Sequence, residues 1–224
     1  MNVDFHLHTT ESDGILEPSA LLRTVASVGM DYFSITDHDT IAVYSRHAEL
    51  LTQFGERVVS GVEVSTNAGD REVHILGYGF DVGSSHISDI LSDRVAARRQ
   101  RAERVVEKLK RQGVPISMTD IARQATGEMI GRPHIARALV DVGAARDVND
   151  AFDRYIGLGC SAYVPAATLS TANAIRAINE SGGVSVLAHP TRNAAEELLE
   201  SLVKVGLRGI EAYSTSHTQH DAER

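Results

Sequence analysis

Short β-rich runs alternate with amphipathic helical segments along most of the chain, and the runs end in histidine or a carboxylate. This rhythm is the strongest constraint on the fold. Strands joined by crossover helices build an α/β protein with a largely parallel sheet. Strand runs are read at residues 3–9, 32–37, 57–64, 72–78, 184–188 and 208–213. Helices are read from residue 17, near 41–54, at 171–179 and at 194–205. In the first of these Pro18 sits in the opening turn, Leu21, Leu22 and Val25 form the buried stripe, and Gly29 supplies the stop.

The middle of the chain has a different texture. No strand signal falls between about 84 and 160. One long polar helix is read over 84–112, with Ile87, Ile90, Leu91, Val105 and Leu109 as a sparse stripe, ended by Gly113 and Pro115. Arg94, Arg98, Arg99, Arg101 and Arg104 crowd it. Short helices follow near 119–125, 133–142 and 148–156. The expected organisation is a β/α scaffold formed by 1–83 and 161–224, with a helical cap inserted at 84–160.

Composition narrows the function classes. With 22 Lys and Arg against 30 Asp and Glu, the net charge of −8 argues against a general nucleic-acid coat. DNA is not an expected partner. The single Cys160 excludes an intramolecular disulfide and a Cys-rich zinc site. No apolar run reaches the roughly 18 residues of a membrane span, and the N-terminus lacks the regions of a signal peptide. A cytoplasmic enzyme that acts on no membrane is the expectation.

The ten histidines carry the chemistry. Strand alternation puts His6 and His8 on one face with Asp4, so both imidazoles can reach one ion. Asp13 follows in a Ser-Asp-Gly turn. The second run leads into Asp37-His38-Asp39, the third carries Glu63, the fourth His74 and a late one His189. In parallel β/α folds, sites gather at the C-terminal ends of strands. A lone histidine there is ordinarily a cap or core residue; five with two acids form a set. Imidazole and carboxylate without thiolate suit Zn²⁺, Mn²⁺ or Fe²⁺. The donors exceed one tetrahedral site, so two or three ions bridged by Glu63 are the natural arrangement, suited to phosphoryl displacement. Cationic donors for phosphate are available at Arg98 and Arg101, three apart on the long helix. Arg132 and His134 offer more, in a Gly-Arg-Pro-His run that opens another helix.

The chain resembles the PHP (polymerase and histidinol phosphatase) superfamily. The resemblance rests on His6-Leu7-His8-Thr9, Thr36-Asp37-His38-Asp39, Glu63 and Ala188-His189-Pro190. Ser12-Asp13-Gly14, the run from Val73 through His74 to Tyr78, and Gly131-Arg132-Pro133-His134 resemble its bacterial nucleotide phosphatases. These act on nucleoside 3′,5′-bisphosphates, some also trimming 5′ ends of short RNA. The resemblance implies a distorted (β/α)₇ barrel under a helical cap and a site for up to three ions. Its metal ligands would be His6, His8, Asp13, His38, Glu63, His74 and His189, and its nucleophile a metal-bound hydroxide. Glu63, His8 and His38 would be the catalytic core. Arg98, Arg101, Arg132 and His134 would hold phosphates, with His217 a further substrate contact.

One departure stands out. Members of that superfamily carry a final Asp-x-His motif on the last strand, and none follows His189 here. The expectation is a barrel lacking its last strand and helix, and two ligands short. Activity of such a chain is expected to suffer, and the ion held by Glu63, His74 and His189 to survive best. His217 and His220 are candidate substitutes. The leading reading is a metal-dependent phosphoric monoester hydrolase. The competing ones are a related domain that binds metal or ligand without turnover, a histidinol-phosphate phosphatase, and a polymerase-associated exonuclease.

Overall fold

The computed structural model describes residues 1–69, 71–125, 127, 129–166, 169–190 and 196–214. His217 and His220 lie outside the described residues. The elements run β1 (Val3–Leu7), α1 (Pro18–Val28), β2 (Tyr32–Ile35), α2 (Ala42–Arg46), α3 (Ala48–Thr52), β3 (Val58–Ala68) and β4 (Arg71–Tyr78). There follow α4 (Ser85–Arg111), α5 (Met118–Ala122), α6 (Arg132–Asp141), α7 (Val148–Ala151), α8 (Thr171–Glu180), β5 (Val184–Leu187), α9 (Glu196–Lys204) and β6 (Gly209–Ile210).

The six strands form one sheet in chain order, β1 to β6, curled into a half-barrel. β1–β2, β2–β3 and β5–β6 are parallel, whereas β3–β4 and β4–β5 are antiparallel. The expectation of a largely parallel sheet is therefore corrected at its centre. β3 runs to Ala68 and β4 begins at Arg71, which leaves room for a hairpin and none for a crossover helix. Ser65, Thr66 and Asn67 lie beyond the strand run read at 57–64. They are extended because each has a ladder partner on β4, at His74, Val73 and Glu72. Reversing β4 has a consequence for the site. Its N-terminal half, with Glu72 and His74, lies at the same end of the sheet as the C-terminal ends of β1 and β2.

The helical region read near 41–54 is two short helices, with His47 at the junction. β6 is shorter than the run read at 208–213. The first helix starts at Pro18 and ends at Gly29 in the left-handed conformation, φ +68°, as its sequence signals require.

Three apolar clusters hold the molecule. One packs α1 and α3 on β2, with Phe33 and Ile35 fully buried. A second packs α8, α9 and the start of α4 on β3–β5. The third lies among the helices from Ala102 to Val164. α4 belongs to two of them, giving Ile87 and Leu91 to the sheet cluster and Ala102, Val105, Val106 and Leu109 to the helical one.

Candidate metal centre

Strand geometry delivers most of the site. Parallel pairing of β1 with β2 and of β2 with β3 lines up the segments carrying His6, His8, His38 and Glu63. His38 forms a bridge directly to Glu63. The approach of β2 to β3 needs Gly61. A Cβ there would lie 2.0 Å from Ser34 Oγ and 2.9 Å from the Ile35 carbonyl oxygen.

The Glu63 carboxylate, 1% exposed, sits at the centre of five imidazoles. Its Oε2 lies 3.0 Å from His6 Nε2, 3.1 Å from His8 Nε2 and 3.4 Å from His38 Nδ1. Its Oε1 lies 2.8 Å from His74 Nδ1 and 2.9 Å from His189 Nε2. Asp13 stands at the other side of His8 and His38, at 3.6 and 3.8 Å. Of the seven candidate ligands named from the sequence, six line one cleft, and Asp13 stands behind His8 and His38. The cleft holds about 730 Å³ and is also lined by Asp4, Glu211, Tyr213 and Ser214.

Cations fit this arrangement. A carboxylate offers about four lone-pair sites, fewer than the five ring nitrogens that crowd Glu63. His38 Nδ1 is buried and makes no hydrogen bond although Glu63 is 3.4 Å away. Three triads have donor atoms mutually within 4.8 Å: His6–His8–Glu63, His8–Asp13–His38 and His38–Glu63–His74. The first and third share Glu63, whose two carboxylate oxygens suit it to bridge two ions.

The electrostatics say the same. Burial favours a neutral Glu63, but His38, His189, His6 and His74 hold its carboxyl well below the usual range. Burial opposes charge on His6 and His74, yet hydrogen bonds to Glu211 and Glu63 raise the first to about 10, and bonds to Glu63 and Glu72 raise the second to about 9. His38 goes the other way, to about 4, because burial outweighs the pull of Glu63.

Two buried aspartates flank His38 in sequence and serve other ends. Asp37 accepts from Thr9 N–H (2.7 Å), Thr9 Oγ1 (2.6 Å) and Ser12 Oγ (2.6 Å), which clamps the loop bearing Asp13. Asp39, at φ +53°, accepts from Ser65 N–H (2.7 Å) and from Arg98 Nε (2.7 Å). Arg98 also donates to Ser65 Oγ at 2.7 Å. It is therefore committed to the frame beside the ligands, not held free for a phosphate.

The other cations expected to bind phosphate divide likewise. His134 is 2% exposed and accepts from Gly131 N–H at 2.9 Å, capping α6. Burial first, then Arg137, lower it to about 4. Arg101 donates through Nε to the Val164 carbonyl, while its buried Nη2 has no hydrogen-bond partner. Burial and the neighbouring Arg132 bring Arg101 down to about 10. Arg132 pairs with Glu72 at 3.3 Å. Arg101, Arg98 and Glu72 border a small void beside the metal cleft.

Sequence reasoning missed Glu72 and Glu211. Glu72 lies 3.6 Å from His74 and is held at about 2, chiefly by that imidazole. Its signal was available, since it stands two residues before His74 as His6 stands before His8. Glu211 faces His6 across the cleft, a contact 205 residues apart that no local pattern reveals.

Comparison with known proteins agrees with this geometry. Over 203 residues the chain is 36% identical to the 5′-3′ exoribonuclease Rnm of Escherichia coli, covering 89% of this chain and 69% of that protein. It is 32% identical over 229 residues to a 3′,5′-nucleoside bisphosphate phosphatase of Chromobacterium violaceum, covering 100% of this chain and 80% of the relative. A solved structure from Bifidobacterium adolescentis, to which metal-dependent phosphoesterase activity is ascribed, superposes with a TM-score of 0.90. It shares 33% identity, over all of this chain and 81% of that one. Residues 4–158 match the profile of the PHP domain. The chain belongs to the PHP domain family.

Proposed function

We propose that this chain is a metal-dependent phosphoesterase that hydrolyses phosphate monoesters of small nucleotides, nucleoside 3′,5′-bisphosphates first, with the 5′ ends of short RNA as related substrates. The observation that carries it is the ionised, buried Glu63 encircled by five imidazoles. A bisphosphate phosphatase and an exoribonuclease among its relatives support the substrate class.

His6, His8, Asp13, His38, Glu63, His74 and His189 would hold the ions. Divalent metal there supplies charge neutralisation at the phosphoryl group and activation of water. The protein's own part is to fix the ligands and receive the substrate. Asp37 and Asp39 hold the loop after β1 and the middle of β3. Arg101 and Arg132 would donate to phosphate oxygens, Arg132 by releasing Glu72; the buried Arg101 Nη2 has no hydrogen-bond partner of its own. Arg98 acts one step away, through Asp39.

The test is release of inorganic phosphate from adenosine 3′,5′-bisphosphate with added Mn²⁺, before and after chelation. Release that depends on Mn²⁺ and vanishes in Arg101→Ala and Glu63→Gln is expected. Release that survives complete chelation would overturn the metal-dependent reading. Bound Mn²⁺ without turnover of any phosphate ester would favour a binding module.

A further inference from the structure

The two edges of the sheet are linked by the Glu211 side chain. β1 and β6 are the first and last strands of the order and share no ladder among the described residues. Glu211, the residue after β6, reaches across. Its Oε1 lies 2.7 Å from His6 Nδ1 on β1, and its Oε2 accepts the His189 N–H at 2.6 Å. Its own position is fixed by the main chain. Leu187 pairs with Ile210, and Glu211 N–H donates to the Leu187 carbonyl at 2.9 Å.

These contacts bear on two candidate ligands at once. A histidine that gives its Nδ1 proton to a carboxylate keeps the Nε2 lone pair for a metal, and gains basicity. His6 has that orientation, with Nε2 turned to Glu63 at 3.0 Å. His189 has φ +28°, a backbone conformation rarely adopted outside glycine. Such a conformation persists only where the surroundings over-determine it. The short bond from its N–H to Glu211 does so.

We propose that Glu211 is a positioning residue of the metal centre. It selects the His6 tautomer that presents Nε2, sets the backbone angle that aims His189, and ties the two sheet edges across the site. The inference rests on the metal-centre reading above.

The experiment is calorimetric titration of metal-free wild type, Glu211→Ala and Glu211→Gln with Mn²⁺. It is joined by ¹⁵N-edited NMR of the histidine rings in the Zn²⁺-loaded proteins. Glu211→Ala is expected to bind its weakest-held ion about 10–100-fold less tightly, or to lose it, the usual effect of removing such a partner. Glu211→Gln has one acceptor oxygen for two donors, so it should weaken binding too, by less. It also serves if the alanine variant does not fold. In wild type the His6 Nδ1 proton should be hydrogen-bonded and slow to exchange, and in Glu211→Ala that signal should disappear. A purely structural loss would not single out that proton. Wild-type Mn²⁺ affinity in Glu211→Gln would overturn the proposal. So would loss of an ion with the His6 Nδ1 proton unchanged, which would make Glu211 a ligand itself. Wild type that binds no Mn²⁺ would overturn the metal reading as well, so the two failures are distinguishable.

Discussion

Glu63 is buried, yet the imidazoles around it hold its carboxyl well below the usual range, and a buried carboxylate needs compensating positive charge. Glu63→Gln keeps the shape and removes the charge. It should lower Mn²⁺ affinity by more than about 100-fold, beyond the loss expected for a supporting residue; equilibrium dialysis with elemental analysis reads this. Asp39 offers a different test, of the frame. Its carboxylate is fully buried against Arg98, and Asn tolerates its positive φ. Asp39→Asn should therefore cost roughly 3–5 kcal/mol, at about 2–4 °C of Tm per kcal/mol for a chain this size. The sign of its pH dependence follows from the same pair. Although burial raises it, Arg98 and Arg94 hold the Asp39 pKa below its unfolded value near ~4. Its contribution is present above ~4 and lost as pH falls through the folded value. Melting scans below pH ~4 should show a steeper acid decline in wild type than in Asp39→Asn. At this scale the candidate ligands were legible because His6 and His8 obey a two-residue period and the others stand in or beside β-rich runs. The roles of Asp37 and Asp39 were not, because each depends on a partner 25 or more residues distant.

Register carries the site at the scale of strands. Gly61 lets β3 lie against the end of β2, two residues before Glu63. Gly61→Ala should force the strands apart at a cost of about 1–3 kcal/mol, the usual penalty of overpacking. Mn²⁺ affinity should fall with it, because Glu63 would shift against His38. Unchanged melting and unchanged titration would show that β2 yields freely. The antiparallel reversal of β4 was hidden in the sequence. Two β-rich runs separated by small polar residues read alike whether a loop or a continued ladder joins them, and only the pairing of Thr66 with Val73 decides. α4 was legible in extent, from its signals near 84 and 113, but not in its interior. Arg94 and Arg101 are buried among partners that composition places on a solvated face.

Across the whole molecule the candidate ligands lie on the sheet and the loops at its strand ends, and the candidate phosphate-binding arginines lie on helices. None of the seven candidate metal ligands comes from residues 85–164, whose buried apolar residues from Ala102 onward form a cluster of their own. Hydrogen exchange should therefore show Mn²⁺ raising protection in β1, β3, β4 and β5 while the buried amides of α6 change little. An equal rise in α6 would mean that the clusters open as one unit. No helix among the described residues is long and apolar enough to cross a membrane. α4 gives buried residues to both the sheet cluster and the helical one. The central claim is that Glu63 organises a centre for more than one ion, and the most direct measurement is metal content per chain after Mn²⁺ loading and desalting. The account predicts more than one bound ion in wild type and a marked loss in Glu63→Gln. A wild-type chain that retains one ion or none would contradict it.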